Sequence, residues 1–174
     1  MVDRRQLLFG SAAAAVALRP PPVWADTGFP QRRAVNIVFS HTQEKFNGFY
    51  YWDGKYILPA VQQFSWVCRD FRANQWKWLN PWLMDLLFVL HWKYDKPQIE
   101  IWSGYRTPET NAQLEGAALN SQHIQANALD IHIPDLDADS IAGSFKTFLG
   151  GGVGMYPGRG FTHMDFGPLR NWVG

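Results

Sequence analysis

Ser121-Gln122-His123-Ile124-Gln125-Ala126-Asn127-Ala128-Leu129-Asp130 is the stretch on which the reading of this chain turns. Just beyond it Leu129, Ile131 and Ile133 alternate with Ala128, Asp130 and His132, the two-residue period of a strand with one buried face. Asp130 therefore stands on a strand, and His123 precedes it in a loop that also holds Asn120, Ser121 and Asn127. Near the C-terminus Phe161, His163 and Asp165 fall on one face of a further strand, with Thr162, Met164 and Phe166 on the other. A histidine and an aspartate seven positions apart, joined by a distant histidine, offer three N and O ligands. Zinc takes such ligands, and three from protein with a fourth position left to water is the arrangement of a catalytic site rather than a structural one. His132, on the same strand face as Asp130, competes with it as a ligand.

Upstream, Pro97-Gln98-Ile99-Glu100-Ile101-Trp102 reads as a short strand that Ser103-Gly104-Tyr105-Arg106 breaks. Thr107-Pro108-Glu109 then caps and starts a helix reaching about Glu115. Arg106 is thus raised at a strand end, where a guanidinium can grip a carboxylate with two parallel hydrogen bonds or steady a developing oxyanion. A surface ion pair is the plainer alternative. Downstream, residues 141–149 have helical spacing, and Gly150-Gly151-Gly152-Val153-Gly154 follows. That run lacks the Gly-Lys-Ser/Thr ending of a phosphate loop, so nucleotide binding is rejected. The glycines instead let the backbone turn closely against the site.

The first half supplies packing. Residues 34–39 alternate as a strand, and an aromatic run from Phe46 to Trp52 reads as a second one, joined through Ser40-His41-Thr42-Gln43-Glu44. His41 and Glu44 are read as turn residues bonding local backbone in preference to metal ligands. Residues 56–71 and the stretch after Asn80-Pro81 have apolar residues at helical spacing, the second carrying Trp82, Leu83, Leu86, Leu87 and Leu90. Cys68, the single cysteine, sits in apolar surroundings and reads as a buried structural thiol. A cysteine hydrolase using it is a separate reading, and it predicts activity that alkylation abolishes and chelators do not.

At 174 residues, 47% hydrophobic and 16% aromatic, the chain has material for one well-filled domain. A net charge of +1 makes no electrostatic case for nucleic acid. Arg4-Arg5-Gln6-Leu7-Leu8, an apolar run to Leu18 and Val23-Trp24-Ala25 form an export signal of twin-arginine type, cleaved after Ala25. Its removal leaves 13 basic and 14 acidic side chains. Residues 26–33 read as a linker and 34–174 as a single domain, with no membrane span in the mature chain.

Ser-x-His-x-x-Ala-x-Ala-x-Asp, preceded by Ser-Gly-Tyr-Arg-Thr-Pro-Glu-Thr-Asn and followed by Gly-Gly-Val-Gly-Met-Tyr-Pro and Phe-Thr-His-Met-Asp-Phe-Gly-Pro-Leu-Arg-Asn-Trp, resembles the DUF882/Peptidase_M15_2 family. That group belongs with the zinc D-Ala-D-Ala carboxypeptidases and hedgehog-like peptidases. The resemblance spans roughly residues 34–172 and includes Ser40-His41-Thr42. It implies an α+β domain in which a small antiparallel sheet, packed by helices, carries the metal. It implies a Zn²⁺-dependent peptidase acting in the periplasm on peptidoglycan stem peptides, near D-amino acids. By position, His123, Asp130 and His163 become the zinc ligands and Arg106 the arginine that binds substrate or intermediate. Asp165 is the nearest carboxylate for a general base, with orientation of a ligand as its other role. Ser121 and Tyr156 are added on the substrate side. The family has glycine where this chain has Ala126, and usually where it has Gln43; a positive φ at Ala126 would strain the His123 loop unless Asn127 took over the turn. The rival reading is a non-catalytic, metal-containing module that binds peptidoglycan.

Overall fold

The computed structural model describes residues 30–95, 98–148 and 151–174. The expected export signal and the first residues of the expected linker lie outside the described residues. The elements run β1 (Arg32–Phe39), β2 (Lys45–Trp52), β3 (Lys55–Tyr56), α1 (Leu58–Val67), α2 (Trp82–Tyr94), β4 (Ile99–Ser103), α3 (Pro108–Ala112), β5 (Ala128–His132), α4 (Ala138–Phe148), β6 (Gly152–Tyr156), β7 (Phe161–Asp165) and β8 (Arg170–Val173).

The class is α+β, but the expectation of a small antiparallel sheet is corrected. All eight strands join one sheet in the order β3-β2-β1-β4-β5-β7-β6-β8. The β1–β4 and β6–β8 pairs are parallel, the rest antiparallel. Parallel pairing follows from connectivity. The chain leaves β1 through the β2–β3 hairpin and two helices, so β4 can return beside β1 in the same direction. β8 follows β7, reverses, and meets the far side of β6 running with it.

β1 starts at Arg32, two residues before the alternation becomes visible, and the cause is electrostatic. Asp85 on α2 is fully buried. Its carboxylate takes hydrogen bonds from Arg33 Nη1 (2.8 Å), Tyr50 OH (2.7 Å) and Tyr56 OH. Burial still pushes its carboxyl above the ordinary range. A buried carboxylate is tolerated only when paired, and this one draws Arg33, 4% exposed, into the strand.

Local signals set the helix starts. Pro59 occupies the first turn of α1, and Asn80 Oδ1 accepts Trp82 N (3.0 Å) at the head of α2. Asp137 accepts from Ser140 N and Oγ, so α4 begins at Ala138, ahead of the expected 141. α2 packs on β1, and α4 on β6 and β7. Leu129, Ile131, Thr162, Met164 and Val153 lie buried on one face of β5, β7 and β6. By the strand period, the other face presents Asp130, His132, Phe161, His163 and Tyr156.

Candidate metal centre

Register brings the two strand residues together. Asp130 pairs directly with His163, which pairs in turn with Gly154. The third side chain comes from the loop before β5. There Ser121 Oγ accepts His123 N (3.3 Å), His123 O accepts Ala126 N (3.1 Å), and Gln122 O accepts Asn127 N (2.9 Å). These local bonds coil the loop and turn His123 inward, where it is 2% exposed.

His123 Nε2 lies 3.2 Å from both Asp130 Oδ1 and His163 Nδ1, and Asp130 Oδ1 lies 2.8 Å from His163 Nδ1. Donors bound at about 2.0–2.1 Å around a tetrahedral zinc stand about 3.3 Å apart, so the spacing fits. The protonation pattern fits as well. His123 Nδ1 lies 2.7 Å from the Gly104 carbonyl, which can only accept, so the ring proton sits on Nδ1. His163 Nε2 lies 2.8 Å from Asp165 Oδ2 and carries its proton there. With both rings neutral, the remaining ring lone pairs face a carboxylate oxygen with no donor among the three atoms. Three converging acceptors call for a cation, and this donor set suits zinc.

Burial lowers the His123 imidazole, and Asp130 only partly offsets that. Burial alone would raise the Asp130 carboxyl, yet the protonated forms of His123 and His163 beside it outweigh that and hold the group well below the usual range. His163 is raised: its bonds to Asp130 and Asp165 overcome the desolvation that opposes them.

Ser103-Gly104-Tyr105-Arg106 proves to be structural as much as chemical. A Cβ on Gly104 would collide with the Cys68 carbonyl, which accepts Tyr105 N (2.9 Å). Only glycine lets this backbone pass between α1's end and His123. Arg106 Nε donates to Ser103 Oγ (2.8 Å) and Nη2 to Asp130 Oδ2 (2.6 Å). Its side chain keeps 17% of its surface open.

Asp165 stands behind His163 and outside the three converging groups. It lies beyond the His163 ring from Asp130, fully buried. Oδ1 accepts Gly152 N (3.1 Å), Gly167 N (2.7 Å) and Arg170 Nη1 (3.2 Å); Oδ2 accepts Arg170 Nη2 (2.7 Å) and meets His163. Burial would raise this carboxyl, but the imidazole and guanidinium outweigh it and hold it well below the usual range. Every oxygen is engaged and the imidazole stands between this carboxylate and Asp130, a placement that favours orientation of His163, the other role read from the sequence, over proton transfer.

Arg170 and Trp172 had no role assigned from the sequence. A buried carboxylate beside His163 needs a cation, and Arg170, five residues on, was the available signal. The glycine run now has particular reasons. A Cβ on Gly151 would strike the Asp165 carbonyl, one on Gly152 the Asp165–Arg170 pair, and one on Gly154 the Trp172 indole.

The remaining candidates separate. Ser121 serves the loop. Tyr156 OH accepts Trp172 Nε1 (2.8 Å). His132 is outside the cluster: its Nδ1 donates to Gly160 O (2.6 Å) and its ring lies 5.3 Å from Trp102. His41 stacks on Phe71 (4.3 Å), while Glu44 pairs with Arg69 (2.6 Å). Cys68 is buried, and burial pushes its thiol far above its ordinary value, away from nucleophile chemistry.

A glycine-shaped strand layer thus bears a buried His–Asp–His triad that could hold a metal ion, with an arginine on its carboxylate, and the comparisons with known proteins place the chain among peptidases. The chain belongs to the Peptidase_M15_2 family, whose model, described as peptidoglycan L,D-endopeptidase MepK, matches residues 28–172. It is 33% identical to the peptidoglycan L,D-endopeptidase MepK of Escherichia coli (strain K12), covering 98% of this chain and 97% of that protein. The probable peptidoglycan L,D-endopeptidase MepK of Haemophilus influenzae is 29% identical, over 98% and 95% respectively. No solved structure matches the chain.

Proposed function

We propose that the protein is a zinc-dependent peptidase that hydrolyses peptide bonds in peptidoglycan stems or crosslinks, near D-amino acids, after twin-arginine export to the periplasm. The observation that carries this is the trio His123 Nε2, Asp130 Oδ1 and His163 Nδ1, all within 3.2 Å of one another and all acceptors when the two rings are neutral. The relatives' names supply the polymer.

His123, Asp130 and His163 would hold the zinc, which would supply a Lewis acid for a scissile carbonyl and a water whose pKa falls to about 7. The chain's own residues do the rest. Gly104 O and Asp165 fix both tautomers, so the ligand lone pairs need no rearrangement on binding. Arg106 is anchored by Nε and Nη2, and its Nη1 has no protein partner among the described residues. That N–H is free to meet a substrate carboxylate or the oxyanion of a tetrahedral intermediate, in a half-buried place where such a bond is strong.

The test is zinc content followed by digestion of purified sacculi. Freshly purified protein should carry about one zinc per chain. Mass spectrometry should find new muropeptides with the wild type and none with His123→Ala. Protein that adheres to sacculi and releases nothing would point to the binding module instead.

A further inference from the structure

On the open face of the sheet, beside the triad, partly exposed aromatic rings form an unbroken arc. Trp102 lies 5.9 Å from Phe161, Phe161 stacks on Tyr156 at 4.4 Å, Tyr156 OH holds Trp172 Nε1, and Trp172 lies 5.2 Å from the His163 ring. The arc thus ends on a ligand of the metal centre. Phe161 sits two residues before His163 on the same strand face, about 7 Å along the strand.

The turn joining β6 to β7 stands over this arc and carries Arg159. It is held rigid: Arg159 N and Gly160 N both donate to Tyr156 O (3.0 and 2.8 Å). Gly160 takes the positive φ of +76°, and its carbonyl accepts His132 Nδ1 (2.6 Å). The Arg159 guanidinium lies 5.9 Å from the Tyr156 ring centre. It is exposed, and no carboxylate among the described residues pairs with it. Its neighbours differ, since Arg106 is committed to Asp130 and Arg170 to Asp165.

We propose that Arg159 and the Tyr156–Phe161 stack form the subsite for an acidic segment of the substrate peptide, flanking the scissile bond. A free carboxylate of the peptide is received by Arg159, and the adjoining aliphatic carbons lie on the two rings. The charge selects this occupant: a neutral saccharide would use the rings but has no need of an uncompensated cation at the rim. The inference rests on the peptidase reading of the triad.

The experiment uses crosslinked peptides with the full-length zinc enzyme, in two sugar-free forms, carboxylates free or amidated, and as the free acid with the disaccharide attached. The wild type should favour the free acid. Arg159→Gln should raise KM for the free acid at least about tenfold, the scale of one charge-assisted hydrogen bond, with kcat changing far less. The same variant should erase the preference over the amide, and Arg159→Lys should restore part of it. Equal losses on both peptides, or an unchanged KM, overturn the proposal. So does a KM that responds to Arg159→Gln only when the disaccharide is attached, since that marks a saccharide site. Calorimetric binding of both peptides to His123→Ala reads the subsite apart from hydrolysis. Peptides that go uncut yet still bind with the Arg159-dependent preference would remove the peptidase reading and keep the subsite.

Discussion

Ala126 holds a left-handed backbone, φ +56°, at 1% exposure, in the loop that delivers His123. The anticipated transfer of the turn to Asn127 does not occur. Asn127 instead uses its side chain as a brace, donating to Gln122 Oε1 (2.9 Å) and accepting from Asn80 (2.8 Å). Gln43, the other position where the resemblance leads one to expect glycine, is likewise left-handed at φ +61°. For Ala126→Gly, relief of about 1–2 kcal/mol of strain meets the loss of a buried methyl worth about 0.8 kcal/mol and a chain-entropy cost of about 0.4–1 kcal/mol. Urea unfolding should therefore show a change under about 1 kcal/mol, whereas Ala126→Val, β-branched in a closed space, should cost more than about 2 kcal/mol. Cys68 supplies a second test at this scale. Iodoacetamide should leave the native thiol unmodified and hydrolysis undiminished, and rapid labelling of folded protein would contradict its burial.

Two small assemblies of elements hold the site. In the first, β6, β7 and β8 clamp Asp165 between His163 and Arg170. Asp165→Asn removes the charge and leaves one acceptor oxygen for two sets of donors, His163 with Arg170 Nη2 on one side and Gly152 N, Gly167 N and Arg170 Nη1 on the other, so zinc affinity should fall about 10–100-fold while far-UV circular dichroism stays native. An affinity within twofold of wild type would show that the carboxylate does not tune the ligand. In the second, Asp70 ties the loop after α1 to the start of α3, next to Arg106. Its carboxylate accepts Thr107 N (2.8 Å), Thr107 Oγ1 (2.9 Å), Arg72 N (3.1 Å) and Ala73 N (3.2 Å). Burial would raise this carboxyl, but hydrogen bonds from Thr110, Thr107 and Ala73 outweigh it and set it below its unfolded value. A depressed carboxylate stabilises the fold above its unfolded pKa, near 4, and loses that contribution as pH falls through the folded value. Denaturation midpoints should drop below about pH 4, and Asp70→Asn should cost about 2 kcal/mol at pH 7 and flatten that acid limb.

For the molecule as a whole, the triad draws its members from a loop and two strands, so a cation that binds only the folded arrangement stabilises everything around it. Zinc at about 1,000 times its Kd should contribute about 4 kcal/mol, roughly 8–16 °C in Tm for a domain of this size. Calorimetry with and without a chelator measures the shift, and His163→Ala should abolish it. An unchanged Tm in the wild type would argue against a metal held by these three groups.

Much of this was legible along the chain because it is local. The alternation around Asp130, the Thr107-Pro108 helix start, the burial of Cys68 and the His123–Asp130 spacing each depend on neighbours a few residues away. Local pattern states which face a side chain occupies and where an element begins. It does not state which distant strand lies alongside. Only the tertiary arrangement set His163 opposite Asp130, drew Arg33 into β1 to neutralise Asp85, made the sheet mixed, and put Arg170 behind Asp165. Those outcomes follow from pairing register and from the cost of leaving a buried charge unmatched; all but the short-range Asp165–Arg170 pair are settled between segments far apart in sequence.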